Sequence, residues 1–438
     1  MKRLITDDLL KWKERKDRKP LILKGVRQCG KTYILKEFGR ENYEETAYFN
    51  FEGNPALAER FEQDLDPRRI LMELGVLNGK SIKPLQTLII FDEIQFCNKA
   101  LTALKYFYEQ TPEYHVVCAG SLLGIALSKP SSFPVGKIDF LALRPMGFYE
   151  FVLANGEEML LGYIEKLDSH TPVPQIFADK LATLLKTYYI TGGMPEVVAK
   201  WIETGDTGEV ERIQDTILNS YELDFAKHAP AADFPKLSLI WKSIPDQLAK
   251  ENGKFVFGHV RPGARAKELE DAIQWLAGAG MVYKVNKIEK PSVPLSAYAA
   301  SNYFKLYMAD AGLLRRMSRL PASSIFGESP LFSEFKGALT ENYVLGELVN
   351  LHGDVPYCWR SGNTAEVDFV GQFDEKIVPV EVKSSTNVRS HSLGVYREKY
   401  RPEVSVRASM LNLRMDAGLL NIPLYMLWTI ERLLRVPS

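Results

Sequence analysis

The stretch Leu21–Leu35 reads LILKGVRQCGKTYIL. An apolar run, Leu21 to Leu23, leads into Gly25-Val26-Arg27-Gln28-Cys29-Gly30-Lys31-Thr32, and a helix-forming segment follows. Strand, G-x-x-x-x-G-K-[ST] and helix in this order make a P-loop in the context the motif requires. Gly25 and Gly30 permit backbone angles that turn successive N–H groups inward, where they cradle phosphate oxygens. Gly25, Val26, Arg27, Gln28, Cys29, Gly30, Lys31, Thr32 and Tyr33 are therefore the candidate nucleotide-binding residues. Lys31 is placed to reach the β- and γ-phosphates, and the Thr32 hydroxyl to ligate Mg²⁺. The dipole of the helix that begins near Lys31 adds to the same anion site. A glycine-rich turn ahead of a helix is the plain alternative.

At 438 residues the chain is too long for one ordinary core, so two or three domains are expected. Lys plus Arg (55) equals Asp plus Glu (55), which removes any global charge argument for nucleic-acid binding and leaves only a local basic face. Charges run throughout MKRLITDDLLKWKERKDRKP, so a signal peptide is not expected there, and no run approaches the length of a membrane helix. The cysteines, Cys29, Cys97, Cys118 and Cys358, are scattered without a C-x-x-C pair. That pattern argues against zinc and disulfides and for a reducing cytoplasm, with no membrane partner.

Downstream, Thr46–Glu52 alternates like a second strand, and Leu88 to Phe91 form a fully apolar strand ending in Asp92-Glu93. A strand without polar positions suits a parallel sheet buried on both faces, whose C-terminal edge binds ligands. Asp92 is the candidate Mg²⁺-shell carboxylate and Glu93 the candidate general base for the attacking water. A solvated loop start is the alternative for this pair. Tyr114–Ala119 reads as another strand, followed by Gly120-Ser121. Ser121 is either a γ-phosphate contact or the N-cap of the next helix, and the two roles are compatible. The alternation of strands and helices predicts a doubly wound sheet.

GVRQCGKT, FDEIQ, AGSLLG and Phe133–Phe151 (FPVGKIDFLALRPMGFYEF) together resemble a family of prokaryotic AAA-type P-loop ATPases. YYITGGMPEVV (Tyr188–Val198), the run Lys305–Leu314 (KLYMADAGLL) and the C-terminal EVDFV…VPVEVKSS fit the same family. The resemblance covers nearly the whole chain. It implies an ATP- and Mg²⁺-dependent ATPase with a Walker B pair, a sensor strand and a helical lid over the nucleotide. It also implies a C-terminal restriction-endonuclease-like, PD-(D/E)XK, domain that is largely uncharacterised. One departure stands out: where the family has Gly-Arg after the sensor segment, this chain has Gly136-Lys137. An arginine there offers a planar bidentate contact to the γ-phosphate, whereas lysine offers a point charge. Arg144 and Arg27 remain as candidates for a trans-acting finger.

Phe148 to His228 is helical in pattern. From Phe234 the order becomes helix, KFVFGHV (strand or short helical turn), helix Arg265–Gly278, then two strands, MVYKVNKI and SNYFKLYMAD. This is a winged-helix order. Arg261, Arg265 and Lys267 are candidate phosphate contacts, although the acidic outer face of ELEDAIQWL favours packing between domains instead.

The final third holds a second constellation. Asp368 precedes Glu381-Val382-Lys383 by the length of a two-stranded turn, which brings Asp368 and Glu381 side by side. Strand alternation then points Glu381 and Lys383 to one face. Two carboxylates and a lysine suit Mg²⁺-assisted phosphodiester hydrolysis, and Glu341 from the preceding helix completes the candidate metal shell. An alternating strand with a polar face is the alternative.

The expected fold is α/β: an AAA-type αβα sandwich over 1–150, a helical lid over 151–232, a winged-helix-like module over 233–325 and a restriction-endonuclease-like domain over 326–438. The candidate catalytic residues are Lys31, Glu93, Asp368, Glu381 and Lys383, and the candidate metal ligands Thr32, Asp92, Glu341, Asp368 and Glu381. Two functions compete: an ATPase coupled to binding or cleavage of DNA or RNA, and a nucleotide-dependent switch whose C-terminal domain binds a partner without cutting. A homo-oligomer is the candidate assembly for either.

Overall fold

Apolar segments of four to six residues, too short for helices, build a parallel sheet in the N-terminal part. They are β1 (Leu21–Lys24), β2 (Glu45–Asn50), β3 (Thr87–Asp92), β4 (His115–Ala119) and β5 (Asp139–Ala142). Their order is β2-β3-β4-β1-β5, and every pairing is parallel. β3 and β4 are buried at every position, as a central strand covered on both faces must be. Beside the sheet, Phe51, Phe61 and Phe107 each meet Phe91 edge-on, at centroid separations of 5.6, 5.8 and 6.2 Å. β1 lies between β4 and β5, so the loop after it opens where the strand order reverses, the position at which such sheets bind ligands.

The computed structural model describes residues 1–120, 136–230, 232–250, 253–326, 333–362, 365–385 and 391–435. Ser121 and the start of the Phe133–Phe151 signature lie outside the described residues. The chain divides into two compact units, Met1–Arg144 with Gly278–Gly280, and Pro145–Ala277 with Met281–Ser438. No described helix is long and apolar enough to cross a membrane.

The second unit opens with helices Phe148–Ala154, Glu158–Ile164, Gln175–Thr191, Pro195–Thr204 and Thr207–His228, matching the helical pattern of that region. Helices Phe234–Leu248 and Ala266–Gly278 follow, and KFVFGHV resolves into a single bridge at Lys254 and a short helix, Phe257–Val260. Eight strands then form one sheet: β6 (Val282–Ile288), β7 (Ala299–Met308), β8 (Tyr357–Ser361), β9 (Ala365–Phe373), β10 (Lys376–Val382), β11 (Ser405–Ser409), β12 (Arg414–Asp416) and β13 (Leu419–Pro423). Their order is β12-β13-β11-β10-β9-β8-β6-β7. The β6–β7 hairpin expected as a wing pairs through Lys287 and Ile288 with β8, and so extends the C-terminal sheet. The segment NIPLYMLWTI is a strand only as far as Pro423; a 3₁₀ turn, Leu424–Thr429, and helix Ile430–Arg435 follow. Proline has no N–H for the ladder, which fits a strand ending there.

Three stretches singled out in the sequence meet inside this unit. The Met146 N–H donates to Gly193 O at 2.7 Å, Tyr188 OH donates to Met146 O at 2.6 Å, and Gly193 N–H donates to Asp310 Oδ2 at 2.6 Å. A Cβ on Gly193 would stand 2.0 Å from Met146 O, so only glycine permits this approach. Asp310 also caps the helix Ala311–Met317 through the Leu313 N–H, and burial pushes its carboxyl up to about 6 against those bonds. Glu347, from helix Ser333–His352, accepts the Phe148 N–H at 2.8 Å within a cluster that includes Phe148, Tyr188 and Tyr343. Burial raises the Glu347 carboxyl to about 8.

Because the folded protein holds the Glu347 proton more tightly than the unfolded chain does, this contribution is fully present below about pH 4.5 and is lost as the pH rises to about 8. In Glu347→Gln that slope should vanish, so the gap between variant and parent should change by about 4 kcal/mol across the window, read by denaturant unfolding at pH 5 and pH 8.

Candidate functional site

The P-loop is held from several sides. Gly25, with φ +158°, passes so close to β5's continuation that a Cβ there would lie 2.2 Å from Leu143 O. Gly30, with φ +92°, starts helix Lys31–Asn42 from the left-handed region that glycine occupies without strain. The buried guanidinium of Arg3 donates to Cys29 O at 3.3 Å and to Arg144 O at 2.7 Å, tying the loop to the segment beyond β5. The Lys31 ammonium is buried and donates to Gly25 O and Val26 O, both at 2.9 Å. The loop's own carbonyls thus hold the cation that the sequence assigns to phosphate.

Thr32 and Asp92 come together as the motif predicts. Thr32 Oγ1 donates to Asp92 Oδ2 at 2.9 Å, and Tyr48 OH, from β2, donates to the same oxygen at 2.7 Å. Asp92 Oδ1 accepts the Glu93 N–H at 3.1 Å. Tyr48 is held protonated: burial, and then its bond to Asp92, raise its phenol above the usual range. Lys36 lies 3.5 Å from the Tyr48 ring centroid, a cation over the ring face. Glu93 sits in the left-handed region, φ 51° and ψ 41°, and its Oε2 accepts from the Gln95 amide. A non-glycine residue in that conformation at a strand end marks a shaped turn. Sequence reasoning missed Tyr48, Arg3 and the Gln95 contact. The outward position of Tyr48 in the alternating strand TAYFNFE was the available signal.

Lys137 pairs with Glu109 at 3.1 Å and lies 5.3 Å from the Tyr108 ring centroid, so its charge is engaged within its own unit. Arg261, a candidate phosphate contact, pairs with Glu268 at 2.8 Å on the acidic helix.

In the second unit, β9 and β10 pair antiparallel with Phe369 opposite Val380; the same register carried one residue further sets Asp368 beside Glu381. Asp368 Oδ2 accepts the Val382 N–H at 2.8 Å, and Lys383 Nζ lies 2.9 Å from Glu381 Oε1. Burial, then the neighbouring Glu341, push the Asp368 carboxyl up to about 8. Glu341 does not join Asp368 and Glu381 as an uncommitted carboxylate. Its Oε2 accepts from Tyr307 OH at 2.7 Å and lies 3.4 Å from Lys305 Nζ, which also meets Glu366 Oε1 at 2.7 Å. Among the described residues no group of three or more His, Cys, Asp or Glu is placed to hold a metal ion. The four cysteines are buried thiols outside any disulfide.

Residues 17–152 match the family model described as an AAA domain. The likeness is to AAA-type ATPases. Residues 182–324 and 336–427 match models described as domains of unknown function, DUF8612 and DUF4143. No curated relative matches the chain. Among solved structures, the Walker-type ATPase PABY2304 of Pyrococcus abyssi is 16% identical over 72% of this chain and 94% of that one, at a TM-score of 0.45. AMPPCP-bound DnaA from Aquifex aeolicus is 14% identical over 62% and 86%, at 0.28. The ORC1 protein of Aeropyrum pernix, in complex with DNA, is 13% identical over 74% and 92%, at 0.27. Overlaps this weak carry no argument for activity or partners.

Replacing Gly25 by alanine would drive a methyl group into Leu143 O and displace the loop amides. ATP affinity should fall at least tenfold while the fold persists, read by equilibrium binding of a fluorescent ATP analogue beside a circular-dichroism melt.

Proposed function

We propose that the chain binds ATP with Mg²⁺ at Gly25–Tyr33 and hydrolyses it as an AAA-type P-loop ATPase. The hydrogen bond from Thr32 Oγ1 to Asp92 Oδ2 carries this reading, because it brings two hard oxygens from separate elements to one point. The residues fit the ion. Thr32 and Asp92 would hold Mg²⁺, which when bound neutralises charge on the β- and γ-phosphates. The P-loop amides and Lys31 bind phosphate oxygens, with Lys31 exchanging its two loop carbonyls for the ligand. Tyr48 fixes the orientation of the Asp92 carboxylate. Glu93, released from Gln95, accepts a proton from the attacking water. Ser121 remains the candidate contact to the γ-phosphate.

For the C-terminal region, the order helix Ser333–His352, β8, β9, β10, helix His391–Tyr400, β11 supports a restriction-endonuclease-like arrangement, with Asp368, Glu381 and Lys383 at its centre. Of the two competing functions, we take the nucleotide-dependent switch, whose C-terminal domain engages a partner without cutting, as our reading. The observation behind this choice is the commitment of Glu341 to Lys305 and Tyr307.

Lys31→Ala should abolish ATP binding, whereas Glu93→Gln should keep binding and lower turnover by about 100-fold or more. Phosphate release and filter binding read the two effects, and undiminished hydrolysis by Glu93→Gln would remove Glu93 from the role of base. With ATP and Mg²⁺ or Mn²⁺, the chain should leave single- and double-stranded DNA and RNA intact. Cleavage that disappears in Asp368→Ala would establish the nuclease instead.

A further inference from the structure

Strand β7 carries Lys305 and Tyr307 two residues apart, so both project from the same face. The Lys305 side chain is 3% exposed, among apolar neighbours in a strand that reads YFKLYM. Its ammonium lies 2.7 Å from Glu366 Oε1 and 3.4 Å from Glu341 Oε2. Tyr307 OH donates to that same Glu341 oxygen at 2.7 Å, and Arg360 Nε stands 3.9 Å from Glu366 Oε2. A buried ammonium requires counter-charge, which the partly buried Glu341 and Glu366 supply. The helix carboxylate that would complete a metal shell therefore already has a cation and a hydroxyl on it. These residues do not fit a carboxylate cage around a divalent ion.

We infer that Lys305 is the resident cation of the C-terminal carboxylate cluster, an internal ammonium that takes the charge-balancing place of a divalent metal ion and closes the cluster to metal. Lysine suits this role because it is a compact point charge on a flexible stem, which lets a strand outside the β9–β10 pair deliver it. The other side of the cluster has its own ammonium, Lys383, on Glu381 Oε1. Glu381 Oε2 is buried without a hydrogen-bond partner, and it marks where an ion would settle once Lys305 is taken away. This inference deepens the non-cutting reading of the C-terminal region and rests on it, but it concerns ion occupancy, and cleavage is measured separately.

The test is a Mn²⁺ titration of the full chain without nucleotide, in an Asp92→Asn background that removes the N-terminal carboxylate, with free Mn²⁺ read by electron paramagnetic resonance. Up to about 1 mM Mn²⁺ the chain should take up none that depends on Asp368. Lys305→Met should gain one equivalent, which a further Asp368→Asn should abolish. Asp368-dependent uptake by the chain that keeps Lys305, or none by a folded Lys305→Met, would overturn the inference. Should Lys305→Met fail to fold, Lys305→Met/Glu366→Gln, which removes one charge of each sign, carries the same two expectations. If that double variant is also unfolded, the titration with and without Asp368→Asn in the chain that keeps Lys305 decides alone. Uptake without cleavage would defeat the resident ammonium and leave the non-cutting reading standing; cleavage would defeat that reading itself.

Discussion

The bond between Thr32 and Asp92 depends on where five strands end. β1 and β3 are not neighbours; β4 separates them. The loop after β1 and the carboxylate after β3 meet only because all strands run parallel and finish on one edge. Every residue of β3 is buried, and Asp92, its last, stands at the strand's C-terminal end, where Thr32 and Tyr48 reach its carboxylate. Tyr48 reaches the same carboxylate from β2, two residues before the Asn50–Asp92 pairing. The apolar content of the sheet and the polarity of its edge are thus two sides of one constraint.

The second unit uses buried carboxylates differently. Asp310 and Glu347 each accept backbone N–H groups at a turn or helix start, and burial raises both carboxyls. They splice separate stretches together: Gly193 to the turn at Asp310, Phe148 to helix Ser333–His352. Lys305, by contrast, draws carboxylates of a helix and a strand onto itself. Carboxyl groups held by backbone N–H donors and carboxylates paired with an ammonium coexist within one unit.

The parts of this protein that were legible from residues alone are those whose chemistry is local. Gly25 to Thr32, Asp92-Glu93 and the Asp368…Glu381-x-Lys383 spacing each follow from one strand, one turn or one hairpin, and the structure brings those residues together as read. Tyr48, Arg3, Lys305 and Glu366 come from elements remote in sequence, and no spacing rule reaches them. Lys305 did leave a trace, since one lysine inside YFKLYM is a charge with nowhere to go but inward, and a buried charge calls for partners. The helix that carries Glu341 is legible from its apolar spacing, while Lys305, the lysine against Glu341, lies outside the motif. The β6–β7 hairpin was legible as two strands; its pairing with β8 was not, because that pairing rests on two residue pairs far apart in the chain.

That pairing bears on how the chain can be taken apart. A fragment beginning near residue 326 would look like a natural unit, with its helix, its hairpin and its own sheet. It would also lose β6 and β7. β8 would become a bare edge, with unpaired N–H and C=O groups inviting another chain. Glu341 and Glu366 would be left facing one another without the ammonium that reconciles them. The isolated fragment would therefore be prone to aggregate through β8 and would present a carboxylate pocket that the intact chain keeps neutralised, so ion or nucleic-acid binding observed in such a fragment would describe the cut rather than the protein.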